Sequence, residues 1–138
     1  MKLFAFPAVA HAMGVNLAGD LVQLKFPPID VTGLTDLRFV PTSCVGSLRT
    51  LSGGALTTAA AFKIGSDAAH ANIAPIFTIP INAVPDVIVA IPLSATRKAI
   101  NLLTDTVFLE VSTGAVGPSA IVGDILLLGT LVKTGGWE

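Results

Sequence analysis

The feature that most constrains this chain is a pair of strand-length apolar segments in its last third, residues 106–132. In the first segment, TVFLEV, the residues Val107, Leu109 and Val111 occupy alternate positions. A period of two is typical of a strand that buries one face. Phe108 falls on the opposite side, and we expect its ring to point outward.

The second segment, Ile125–Val132, is almost continuously apolar. It is too short to cross a bilayer as a helix, and its composition is typical of a strand that is covered on both faces. The loop between the two segments, STGAVGPSAIVG, contains no reactive motif. Both strands need neighbouring strands to pair with, which the rest of the chain must supply.

The upstream chain contains further strand candidates. Leu21–Phe26 alternates apolar with polar residues and stops at two prolines, because proline has no amide hydrogen for a ladder. Leu37–Gly46 is a second candidate, in which Pro41 indicates an edge position or a bulge. Thr57–Gly65 is a third.

Four prolines exclude long helices between Ser66 and Pro92 and bound two more candidates, Ile76–Ile81 and Val87–Ile91. About seven or eight short strands, with turn signals every eight to twelve residues, predict an antiparallel β-sandwich or jelly roll. The predicted fold is therefore all-β and single-domain. Residues 16–138 form the sandwich, and residues 1–15 form an extended N-terminal arm or an edge strand.

The composition indicates association. Hydrophobic residues make up 52% of the chain, charged residues 12%, and the mean hydropathy is +0.79, whereas about a quarter of the residues in a soluble domain are charged. No apolar run approaches the roughly 18 residues of a membrane-spanning helix. We therefore expect obligate assembly with other subunits rather than membrane insertion.

The eight basic residues are scattered and the net charge is −1, so no nucleic-acid surface is predicted.

The first residues resemble a secretory signal, in which Lys2 supplies a charge and Leu3–Ala10 an apolar run before the small-x-small sequence AHA. The run has only one preceding charge and is interrupted by Pro7, so we favour an uncleaved arm. Such an arm would bury Phe4 and Phe6 against a neighbouring subunit. The alternative is a first edge strand.

The other end also carries a large ring. Trp137 follows Gly135-Gly136, a hinge that would let it swing onto a neighbouring surface, and tryptophan is enriched among interface anchors. We therefore predict Phe4, Phe6, Phe108 and Trp137 as interface residues. The alternative is that both ends pack against their own subunit.

Catalytic patterns are absent from the sequence. Cys44 is the sole cysteine, so we expect a buried thiol rather than a nucleophile paired with His11 or His70. The two histidines are too few for a typical catalytic zinc site, and we expect them to be solvated. Phosphate-binding loops and nucleophile elbows are missing. We predict no enzyme, no metal and no cofactor; a calcium site shared by turn aspartates is a weak alternative.

Three segments carry a resemblance to a known class: FKIGSDAAHANIAP at residues 62–75, FLEVSTGAV at 108–116 and DILLLGTLV at 124–132. Their order is similar to that in the capsid decoration, or cement, proteins of tailed bacteriophages. The resemblance implies a β-rich subunit, often a homotrimer, that binds the outer surface of the virion. There it would clamp neighbouring major capsid protein subunits after assembly in the host cytoplasm. The four interface residues would then contact the capsid or sister subunits.

A second class is a secreted carbohydrate-binding or adhesive β-sandwich, which the signal-like start and the strand pattern would suit. Sugar sites commonly use exposed Trp or Tyr rings, and this chain has no Tyr and one Trp. A hydrolase or transferase ranks third, because no catalytic motif supports it.

Overall fold

In this computed structural model the backbone is described for residues 2–14, 19–51, 58–79, 88–114 and 121–135, and side chains for 19–47, 58–78, 88–114 and 124–133. These ranges contain strands and no helix. The strands are β1 (Lys2–Gly14), β2 (Leu21–Gln23), β3 (Leu34–Leu51), β4 (Ala60–Gly65), β5 (Ala74–Ile79), β6 (Val89–Ala90), β7 (Ile100–Asn101), β8 (Phe108–Thr113) and β9 (Ile121–Gly135).

The strands form two antiparallel sheets. Sheet A has the order β1-β9-β3, with β6 and β7 both paired to the far edge of β3, and sheet B has the order β2-β8-β4-β5. The chain changes sheet at every connection except β4–β5 and β6–β7. The predicted all-β antiparallel sandwich is confirmed.

The core lies between the two sheets and receives side chains from both. Phe39 and Leu127 come from sheet A, and Phe62 and Leu109 come from sheet B; all four are completely buried. The β8 alternation follows the sequence pattern, because Val107, Leu109 and Val111 are buried whereas Phe108 and Glu110 are partly exposed.

Strand β9 departs from the prediction. Ile125, Leu127 and Leu131 are buried, but Leu128 on the other face is 38% exposed. The expectation that both faces are covered is therefore wrong for a single chain. The reason is that the second sheet covers only the inner face of sheet A, which leaves the outer face of β9 to solvent.

Strand β1 runs antiparallel to β9 from Lys2 opposite Lys133 to Gly14 opposite Val122. The two predicted alternatives for the N-terminal segment were an extended arm and an edge strand. Lys2–Gly14 forms an edge strand. Pro7 lies within it, opposite Leu128, and an edge strand tolerates proline because the missing N–H can face away from the ladder.

Pro41 was predicted to mark an edge or a bulge, and it lies at a bulge in the central strand β3. The register with β9 shifts between Pro41 and Ser43. Thr42 Oγ1 donates to the Leu128 carbonyl at 3.2 Å, and Arg97 Nε donates to the Pro41 carbonyl at 2.8 Å. These side chains satisfy backbone carbonyls where the ladder is irregular.

Gly129 lies where the packed core leaves no room for a side chain. A Cβ atom there would overlap the Phe39 ring and lie 2.5 Å from the Val40 carbonyl oxygen. We expect Gly129→Ala to lower the free energy of unfolding by about 1–3 kcal/mol, because a packed core resists added volume. Urea denaturation measures the loss. Thr130→Ala, one residue further along β9, serves as the control, and equal stability of the two variants would contradict the prediction.

Candidate interaction surfaces

A cluster of polar side chains lies on the outer face of sheet B. Lys63 on β4 is opposite Glu110 on β8 in the sheet register, and its Nζ is 3.4 Å from Glu110 Oε2. His70, in the β4–β5 loop, places Nδ1 2.9 Å from the same oxygen. We call these three residues, together with Phe108, the Glu110 cluster.

The loop that carries His70 is fixed by its own hydrogen bonds. The Ser66 amide donates to Asn72 Oδ1 at 2.8 Å, and Asn72 Nδ2 donates to Ser66 Oγ at 3.0 Å. The Ala71 amide donates to Asp67 Oδ1 at 3.0 Å. His70 itself has a φ of +51°, a left-handed conformation that non-glycine residues rarely adopt. These short-range bonds hold the imidazole over β8.

Phe108 belongs to this cluster rather than standing alone. Its ring is edge-on to His70, with centroids 5.5 Å apart and an interplanar angle of 68°. The β4 residue opposite Phe108 is Gly65, where a Cβ would lie 2.5 Å from the Ala71 amide nitrogen. Glycine at this position lets the loop fold down close to the sheet.

The electrostatics of the cluster favour an ionised carboxylate. The hydrogen bond from His70 is the largest cause that lowers the pKa of Glu110 below its ordinary value of 4.5, and Lys63 acts in the same direction. Partial desolvation opposes them. These contacts link β4, β8 and the β4–β5 loop on the outer face of sheet B.

The outer face of sheet A has a different character. Its outward residues on β3 and β9 include Val40 and Leu128, which are 37% and 38% exposed. Val45, Leu126 and Val132 are partly exposed on the same face. We call these five residues the apolar face.

The predicted interface residues are distributed over different places. Phe108 lies in sheet B, whereas the backbones of Phe4 and Phe6 lie in β1, opposite Leu131 and Gly129 of β9. The side chains of Phe4 and Phe6, and the whole of Trp137, lie outside the described residues. Of the described parts, the backbones of Phe4 and Phe6 lie in sheet A and Phe108 lies in sheet B, and the role of each of the four stays a prediction.

The other described side chains that could carry chemistry are unreactive or are not clustered. Cys44 is buried, as predicted, and burial raises the pKa of its thiol to about 12, which keeps it protonated and unreactive. His70 lies in a loop, as expected, but its side chain is only 19% exposed because it contacts Glu110. Within the described ranges, no three metal-binding side chains come together, and no helix is long and apolar enough to span a membrane.

Shallow cavities open on the described surface. One of about 390 Å³ lies against the β2–β3 connection and includes Phe26 and Leu102. A polar cavity of about 300 Å³ lies beside the His70 loop and is lined by Asp67, Ala71, Asn72, Ser94, Thr96 and Lys98. An apolar hollow of about 190 Å³ lies at one end of the apolar face and includes Val45, Ile88 and Leu126.

No family model, no curated protein and no solved structure matches this chain. The two sheet faces and these cavities are therefore the basis for assigning a function.

The Glu110 cluster should make the free energy of unfolding depend on pH. Because the pKa of Glu110 is lowered in the folded state, its contribution to stability is present above the ordinary pKa and is lost as the pH falls through the folded-state value. We expect Glu110→Gln to reduce the fall in unfolding free energy between neutral pH and pH values below 4.5. Urea denaturation across that range measures the slope. Asp20→Asn controls for the loss of one exposed carboxylate, and a slope in Glu110→Gln equal to that of the parent chain would contradict the prediction.

Proposed function

We propose that this chain is a structural subunit of a bacteriophage virion that binds the outer surface of the capsid and clamps neighbouring major capsid protein subunits. The observation that carries this proposal is the apolar face, where Val40 and Leu128 are more than a third exposed. Exposed apolar side chains on a sheet suit permanent contact with another protein.

The physical basis of a clamp is the burial of this face. Removing apolar surface from water stabilises a contact by about 25 cal/mol per Å². A chain with 12% charged residues has few ions to desolvate, and desolvation of ions opposes such a contact. Clamping would raise the resistance of the shell to internal pressure without any chemical step. Self-association as a homotrimer, which the resemblance implies, would multiply the contacts.

We further infer that the sandwich is a jelly roll. Sheet A contains strands 1, 9, 3 and 6 with the short strand 7 beside strand 3, sheet B contains strands 2, 8, 4 and 5, and the chain crosses between sheets at all but two connections of these strands. This interleaving follows from winding a long antiparallel ribbon around a core, as jelly rolls do. Jelly rolls occur in both viral capsid and lectin domains, so the topology supports either candidate function.

The proposed function predicts where the protein is found. Mass spectrometry of purified phage particles should detect the chain in stoichiometric amount, and limited surface proteolysis should remove it before the major capsid protein. Particles depleted of the chain should lose their DNA at lower temperature than complete particles, because fewer contacts oppose shell expansion. Detection only in the culture medium, free of particles, would contradict the proposal.

The polar cavity beside the His70 loop favours the second candidate, a secreted carbohydrate-binding protein. It presents the Lys98 ammonium and the Thr96 hydroxyl next to one carboxylate, Asp67, and such groups hydrogen-bond sugar hydroxyls. Several of the lining groups already bond within the chain, including Asn72 to Ser66 and Ser94 to Thr96.

A glycan array tests this second candidate. Under the virion proposal we expect no glycan above background. Under the carbohydrate proposal we expect binding that Lys98→Ala reduces and that Lys25→Ala, at a different cavity, leaves unchanged. The array and the particle analysis therefore separate the two functions.

A further inference from the structure

We propose that the apolar face binds the same face of a second copy of this chain, around a two-fold axis that runs across the strands at the level of Leu128. Leu128 is the centre of the described part of this face: Val132 and Asp124 lie four residues to either side on β9. The axis would place Leu128 of one copy over Leu128 of the other.

The dimensions of sheet A fit such a pairing. Its longest strands are β3 with 18 residues and β9 with 15, and β1 adds 13 residues along β9. At about 3.4 Å per residue and about 4.8 Å between strands, these three strands have a backbone footprint of roughly 750 Å². A stable interface buries about 800 Å² on each partner. The footprint of this face is therefore close to the area that each copy would bury in a stable dimer.

Val40 and Val45 occupy equivalent positions about this axis. Val40 is in register with Thr130, two residues to one side of Leu128, and Val45 is in register with Leu126, two residues to the other side. A two-fold rotation therefore brings the exposed Val40 side chain of one copy over Val45 of the other. Beside Val45 lies the apolar hollow of about 190 Å³, which can accept that side chain.

The charges at the two ends of the face are also complementary. Arg38 is in register with Val132, and Ser47 with Asp124, so the rotation brings Arg38 of one copy to the end that carries Asp124 of the other. Arg38 Nε already donates to Asp36 at 2.9 Å. A guanidinium has five N–H donors, so Arg38 has donors left for a second carboxylate.

The edges of the described sheets are less suited to self-association than this face. Pro7 lies in the middle of β1 and Pro75 lies in β5, and proline interrupts edge-to-edge hydrogen bonding. The far edge of β3 is covered by β6 and β7, and Arg97 bonds to Pro41 between them. The outer face of sheet B carries the Glu110 cluster, whose charges are costly to desolvate.

A face that is buried against a sister copy cannot also contact the shell, so a paired chain would bind the shell through other surfaces. The pairing itself does not depend on the proposed virion role, because a secreted protein with this face would associate in the same way. It also differs from the homotrimer that the sequence resemblance implies. The native mass of the purified full chain therefore tests the pairing separately from particle binding.

The first test is sedimentation equilibrium of the full chain and of Leu128→Arg. We expect the parent chain to sediment at twice its monomer mass of 14.1 kDa. We expect Leu128→Arg to raise the dissociation constant by at least about tenfold, because two arginines would then face each other across the axis. Ile76→Arg changes an equally large exposed side chain on sheet B, where Ile76 is 62% exposed, and should leave the dimer intact.

The second test uses a milder substitution, so that it holds even if the arginine variant unfolds. Facing sheets lie about 10 Å apart, so two Leu128→Cys residues at the axis should be joined by a short bis-maleimide rather than by a disulfide. We expect a covalent dimer for Leu128→Cys. Neither the parent chain, whose Cys44 is buried, nor Ile76→Cys should give one.

Three outcomes would overturn the pairing. One is a monomeric parent chain, and another is a trimer whose mass does not change in Leu128→Arg. The third is a folded Leu128→Cys variant that the reagent modifies without joining two chains. If Leu128→Arg lowers particle binding but the parent chain is monomeric, the face binds the shell instead, and the two-copy proposal fails while the virion proposal stands.

Discussion

The antiparallel pairing of β3 with β9 is the interaction on which the rest of this structure depends. It runs from Leu34 opposite Gly135 to Leu51 opposite Ile121, and it joins the first half of the chain to its last residues. The close approach of Phe39 to Gly129 shows how tightly this ladder is packed, since no side chain fits at residue 129. Strand β1 and the short strands β6 and β7 are then placed by the two edges of this pair.

The two outer faces of the sandwich differ because their sequences differ at alternate positions. In sheet B the outward positions include Lys63 and Glu110, which pair across neighbouring strands and bind His70. In sheet A the outward positions include Val40 and Leu128, which remain exposed. The ion pairs of the Glu110 cluster link strands within one chain, whereas the exposed apolar side chains of sheet A have no such intrachain role. Each outer face also carries exposed apolar side chains, since Ile76 and Leu21 in sheet B are 62% and 50% exposed.

Much of the local structure was predictable, because strand periodicity is a short-range property. The alternation of Val107, Leu109 and Val111 identified the buried face of β8, and Pro41 identified an irregularity in β3. The Glu110 cluster was not predictable: His70 and Glu110 are 40 residues apart, and no local pattern links a loop histidine to a strand glutamate. The near-continuous apolar run of β9 was misleading, because it contains both core residues and residues of the outer face.

By itself the sequence determined the class of fold and the scarcity of charge. Period-two apolar segments bounded by proline and glycine can bury their side chains only in sheets, and a chain with 12% charged residues leaves apolar groups at its surface. The tertiary structure alone decided which strands are neighbours and therefore which apolar residues remain outside. Leu127 and Leu128 have the same side chain and adjacent positions, yet one is completely buried and the other is 38% exposed. The physical reason is that the pleat turns them to opposite faces, and only the arrangement of the two sheets determines which face is covered.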